Sequence, residues 1–136
     1  MIEAVRETLT SGRLAHLHTT NADGSPQVSI VWTGVDGDEI VIAHLGQGRK
    51  MANLARDPRV VLSVEAEGHN PIGLANYLIV TGTAEVVAGG APELLQRLAE
   101  IYLGPGVKFP AFDNPPPGHV IRITAHRFGG VGPWSD

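Results

Sequence analysis

The chain contains no cysteine in 136 residues. Disulfides and thiolate metal sites are therefore excluded, and the fold has to stand on packing. Charge is also sparse: charged residues make up 18% and the formal net charge is -4, so the basic face of a general nucleic-acid binder is missing. No apolar run approaches the roughly 20 residues that span a bilayer. The opening "MIEAVRETLTSGR" has acids where a secretory signal would be basic and then apolar. These features lead to the expectation of a soluble, cytoplasmic protein. There is no internal repeat, no long linker, no Ser/His/Asp pattern and no paired-carboxylate pattern.

What is present is a globular composition, 43% hydrophobic, in a length suited to a single domain over residues 1–136. Ile2, Val5 and Leu9 recur at helical spacing, and Gly12 ends that short helix. "RLAHLHTT" reads as a strand, "NADGSP" as a turn and "QVSIVWT" as the partner strand. The turn "GVDGDE" leads to the strand "IVIAH". A basic helix follows, then the strand "DPRVVLSVE", the turn "GHNPIG" and the long strand "ANYLIVTGTAEVV", in which Gly82 signals a bulge or bend. "APELLQRLAEIYLG" is a helix with Pro92 in its first turn and Gly104 after its end. A Pro-rich loop precedes the strand "HVIRITAHRF". Six strands and three short helices imply a mainly β fold, a small closed or split β-barrel with helices covering its ends.

The stretch "HLGQGRKMANLARDP" gathers basic residues in a chain otherwise sparing with charge. On a helical wheel Arg49, Lys50, Asn53, Arg56 and Asp57 share one arc, and Met51, Ala52, Leu54 and Ala55 fill the other. The polar arc is expected to face solvent or a polar cleft. Arg56 and Arg59 sit toward the helix C-terminus, where the dipole welcomes them. Arg49 and Lys50 sit at the N-terminus, which is already positive. An anion, most economically a phosphate, resolves that conflict. Gly46 and Gly48 let backbone approach it, and Gln47 and Gly48 join the candidate site. The spacing GxxxxGK[ST] of a P-loop is absent.

The basic turn, "NLARDPRVVLSV", the "HLHTTNADGSPQVSIVW" hairpin and the "YLIVTGTAEVV" strand with its following helix resemble the split-barrel proteins related to pyridoxamine 5'-phosphate oxidase. The resemblance covers nearly the whole chain. It implies an FMN-binding-like split barrel, a homodimer with cofactor sites shared between subunits, and a phosphate grip by Arg49 and Lys50. It further implies cofactor contacts from Gln27, Val28, Ser29, Ile30 and Val31, and from Ala43 and His44. The "QVSIVW" strand lacks the basic residues of the FMN-using pyridoxamine phosphate oxidases, so vitamin B6 oxidation is not implied. "FGGVGPW" resembles the branch that uses the deazaflavin coenzyme F420, which implies hydride transfer to a small hydrophobic, electron-poor acceptor. FMN is the alternative cofactor. A carrier or sensor without turnover, or a haem-binding member of the fold, are the alternative functions.

Such chemistry resides in the cofactor, so no protein nucleophile or metal is required and no catalytic side chain is assigned. His44, His16 and Tyr77 are conceivable proton donors. Trp134 either caps the cofactor or substrate, or packs against the barrel end. Trp32, in phase with Val28 and Ile30, reads as core. Gln27, Ser29, Val31 and Thr33 form the other strand face, suited to a ligand groove or dimer surface. His16 and His18 share a face but lack an identifiable third metal ligand. Asn76 and Tyr77 read as strand-end packing, and "NPPPG" as a stiff pocket rim.

Overall fold

The computed structural model describes residues 1–135. Helix α1 (Glu3–Leu9) buries Val5 and Leu9 fully. The chain continues through β1 (Ala15–Thr20), β2 (Pro26–Val31), β3 (Gly34–Asp36) and β4 (Glu39–His44). Helix α2 (Arg49–Arg56), β5 (Arg59–His69), β6 (Ala75–Ala88), helix α3 (Ala91–Tyr102) and β7 (His119–Val131) complete it. All pairings are antiparallel, in the order β2-β1-β5-β6-β7-β4-β3. The two edge strands, β2 and β3, are consecutive in the chain and joined only by Trp32 and Thr33. So short a link holds the sheet's edges together, and the result is the expected mainly β split barrel.

Six strands were expected and seven are present among the described residues. The additional one, β3, lies inside the segment that reads as a turn; three residues are too few to show a period, and pairing of Gly34 with Val41 and Asp36 with Glu39 defines it. Gly82 behaves as its position suggested. Thr81 pairs with Arg127 and Gly82 with Ala125, leaving His126 as the extra residue of a bulge. A Cβ at Gly82 would stand 2.2 Å from the Thr124 carbonyl oxygen.

The barrel interior is filled by Leu17, Ile40, Ile42, Leu62, Leu78, Ile121 and Ile123, joined by Met51 and Leu54 of α2 and by Trp134. A smaller cluster puts Leu94 and Leu98 of α3 against Val41, with Trp32 and Tyr102 beside them.

Two face assignments are corrected. Trp32 was expected in the core, in phase with Val28 and Ile30; that face is the outer one, with Val28 47% and Ile30 61% exposed while Val31 and Thr33 are buried, and Trp32 packs half-buried against the α3 cluster. The register decides this: β1 buries Ala15, Leu17 and Thr19, and these stand opposite Val31, Ser29 and Gln27. On α2 the buried residues are Lys50, Met51, Asn53 and Leu54, whereas Ala52 and Ala55 are exposed. The helix thus packs along an i, i+3, i+4 stripe that cuts across the wheel's polar and apolar arcs.

Candidate functional site

Lys50 is the unusual residue. It is only 8% exposed, and among the described residues no carboxylate pairs with it. Burial alone pushes its ammonium below the ordinary lysine range. It lines a cavity of about 210 Å³ together with Ile30, Val31, Trp32, Ala43, Leu95, Leu98 and Phe109. The other lining side chains are aliphatic or aromatic, so Lys50 is the charged residue among them.

Each wall has a local cause. Trp32 stacks on Tyr102 with ring centroids 5.0 Å apart, and Phe109 packs against Trp32 with centroids 5.2 Å apart and planes tilted by 48°. The Phe109 segment is held to α3 by Gln96, whose Oε1 accepts the Phe109 N–H at 2.9 Å and whose Nε2 donates to the Val107 carbonyl at 2.7 Å. Lys50 itself is positioned by the next turn of α2. Asn53 Nδ2 donates to Thr19 Oγ1 and to Asn21 Oδ1, both at 3.0 Å, and Arg56 donates to Asn53 Oδ1 at 3.1 Å and to the Thr20 carbonyl. Arg56 is therefore a clamp between α2 and the β1–β2 hairpin.

The structure divides the residues expected from sequence. Ile30, Val31, Ala43 and Lys50 meet at the one cavity. Arg49, adjacent in sequence to Lys50, is exposed and lies outside it. Gln27 and Ser29 are bonded to one another, and Gln27 Oε1 accepts from Thr19 Oγ1 at 2.9 Å. Val28 lies on the outer sheet face. Gln47 and Gly48 line a groove of about 650 Å³ on another side of α2, shared with Met51, Val86 and His119. His44 stands opposite His119 across β4 and β7.

Trp134 shares no lining residue with the Lys50 cavity. Within the protomer it packs into the main core, donates Nε1–H to the Tyr77 carbonyl at 3.1 Å and borders a groove beside α1 and Asn76. His16 and His18 lie on the outer sheet face, and among the described residues no group of three metal-ligating side chains occurs. Sequence reasoning missed Leu95, Leu98 and Phe109, and it read Trp32 as core, where it does pack against the α3 cluster, without its place on the cavity wall. Only Phe109, one of two phenylalanines in a Pro- and Gly-rich loop, carried a signal that could have been read.

Residues 1–132 match the family described as pyridoxamine 5'-phosphate oxidase. No curated protein matches the chain. A solved structure described as an F420 reductase is 27% identical, with a TM-score of 0.76 over 95% of this chain and 98% of that one. The conserved hypothetical protein Rv2991 from Mycobacterium tuberculosis is 29% identical, with a TM-score of 0.74 over 99% of this chain and 85% of that one. An FMN-binding protein from Syntrophomonas wolfei subsp. wolfei, 13% identical with a TM-score of 0.69 over 96% and 85%, shares the fold alone.

Proposed function

On the premise that this chain belongs to the pyridoxamine 5'-phosphate oxidase family, we propose that it is an oxidoreductase working with coenzyme F420, FMN being the alternative. The observation that carries the reading is the largely buried side chain of Lys50, whose ammonium meets no carboxylate among the described residues. A charge removed from water without a partner is unfavourable, and a bound anion supplies the missing partner. The residues present fit the phosphate of such a cofactor. Lys50 would hold it from within, and Arg49, with the uncapped N-terminus of α2, would approach from the solvent side.

When bound, the deazaflavin supplies two-electron hydride transfer to an acceptor. The chain's own part is to bind, orient and exclude water. Val31, Trp32, Leu98 and Phe109 provide apolar walls suited to a small hydrophobic acceptor or to the apolar part of the cofactor. The similarity to a protein described as an F420 reductase favours F420 over FMN.

The outer sheet face supports a homodimer. Val28, His18 and Val61 form one row across β2, β1 and β5, and Ile30, His16, Ser63 and Ile79 form the next. Val28, Ile30, Val61 and Tyr77 are exposed on one side of a sheet whose other side is the core. A second copy of the chain is the occupant that would cover this face and share the β2 residues.

Titration of the purified protein with F420 and with FMN, read by tryptophan fluorescence and thermal unfolding, tests the proposal. A ligand at 100 times its dissociation constant stabilises the fold by about 2.7 kcal/mol. A shift with F420 is expected; a shift with FMN alone selects the alternative, and no shift with either removes the oxidoreductase reading.

A further inference from the structure

The Lys50 cavity, at about 210 Å³, is smaller than the roughly 300–1,000 Å³ of pockets that enclose whole small molecules. To admit an organic acceptor it has to enlarge, and most of its walls are fixed. Val31 is paired with Ala15, and Ala43 with Val120, in the sheet. Leu98 is 2% exposed in the α3 cluster, and Trp32 is stacked on Tyr102. Phe109 differs. It is the lining residue supplied by the long loop between α3 and β7.

That loop is held at few points. Across residues 105–114 every residue is exposed except Phe109, which is half-buried, and Pro110, which is buried, so this dipeptide is the part that plugs inward. From Val107 to Pro116 the hydrogen bonds to the rest of the chain, among the described residues, are two, and one side chain makes both. Gln96 Oε1 accepts the Phe109 N–H and Gln96 Nε2 donates to the Val107 carbonyl. A backbone donor and a backbone acceptor fix which way the amide points. Gln96 neighbours Leu95, itself a lining residue, so α3 supplies both a wall and the latch of the wall beside it. The Lys108–Asp113 ion pair lies within the loop and ties it to nothing else. Two neutral hydrogen bonds and one tilted ring contact with Trp32 make a hold that a ligand can displace.

We propose that Phe109 is the movable wall that selects acceptors by size, and that Gln96 is the residue that positions it. The selection rests on the reading of this cavity as part of an oxidoreductase site; the movable wall does not. With Gln96 engaged, the Phe109 ring stands against Trp32 and leaves room for a narrow acceptor. A wider one has to push the ring outward and break both Gln96 bonds, and that work is charged against its binding. Removing the ring removes the penalty for the wider acceptor, while the narrower one loses a contact.

Nitrobenzene and nitronaphthalene are the probes, reduced by whichever of F420 and FMN the titration selects. Phe109→Ala should raise the ratio of kcat/KM for nitronaphthalene over nitrobenzene by about tenfold. Gln96→Leu should move the ratio the same way, and should add nothing further in the Phe109→Ala background, because it acts through that ring. Without any ligand, the Phe109–Trp32 ring contacts seen by NMR should weaken in Gln96→Leu while amide exchange in β6 stays as in the native protein. An equal loss of both acceptors in Phe109→Ala overturns the size selection. Additive effects of the two substitutions, or ring contacts kept in Gln96→Leu, overturn the positioning role of Gln96. If the native protein reduces neither probe, the selection falls with the oxidoreductase reading, and the ring contacts alone decide the movable wall.

Discussion

The indole of Trp32 lies flat on the phenol ring of Tyr102, centroids 5.0 Å apart and planes 9° from parallel. The Tyr102 hydroxyl is fixed at the same time: it accepts the Thr33 N–H at 2.9 Å and donates to the Arg13 carbonyl at 2.8 Å. One side chain of α3 thus sets the position of a cavity wall. Tyr102→Phe keeps the stack but leaves the Thr33 N–H without its partner, at an expected cost of about 1–3 kcal/mol. Chemical denaturation gives the stability, and a changed Trp emission maximum shows the loosened indole. An unchanged midpoint would mean that the hydroxyl is dispensable.

Lys50→Met should separate binding from stability. The folded-state pKa of Lys50 is depressed below its unfolded value. It therefore contributes stability only at pH values above the ordinary lysine range, and near neutrality it is a burden. The unliganded variant should gain about 1–2 kcal/mol on removal of the uncompensated charge, while losing its response to cofactor. Thermal unfolding with and without F420 measures both effects.

Ile30→Glu places a carboxylate on the outer sheet face at a position 61% exposed in the protomer. The variant should fold, since nothing in the core is disturbed; if the native chain sediments as the proposed homodimer, the variant should sediment as a monomer at the same concentration. Equal sedimentation of the two would place any dimer contact elsewhere.

Acid should loosen the junction of α2 and β5. The side-chain and backbone hydrogen bonds from Arg59 hold the Asp57 carboxyl down to about 2, against an ordinary value of 3.8. Because this folded-state pKa is lowered, its contribution is complete above about pH 4 and disappears as pH falls through about 2. Asp57→Asn should flatten the dependence of melting temperature on pH within that window and nowhere else.

Gly82→Ala should destabilise the fold by about 1–3 kcal/mol, because the added methyl would meet the Thr124 carbonyl oxygen at the bulge. Urea unfolding checks it. Equal stability would show that the bulge relaxes freely.

Much of this was legible in the residues themselves. The periodicity of Val5 and Leu9 and the β-branched runs mark α1 and the long strands. Glycine in a strand interior marks the bulge, and positive charge at a helix start marks Lys50. What stayed hidden depends on register and distance. The alternation of Val28, Ile30 and Trp32 looks the same whichever face is buried, and only the pairing of Leu17 with Ser29 chooses. Leu95 and Leu98 of α3 and Phe109 of the loop after it reach the cavity from 40 or more residues beyond Lys50.

The two-residue crossing between β2 and β3 has a dynamic consequence. Where the backbone ladder is interrupted, side chains close the gap: Thr33 Oγ1 bonds the Leu9 carbonyl at 2.7 Å, and Trp32 rests on Tyr102. The seam is then the line along which the barrel breathes at least cost, and amides of β2 and β3 should exchange with solvent ahead of those in β6. Val31 and Trp32 belong both to that seam and to the Lys50 cavity. Occupying the cavity therefore latches the seam, and ligand binding should be visible as slowed hydrogen exchange on the far edge strand β3, which does not line the cavity.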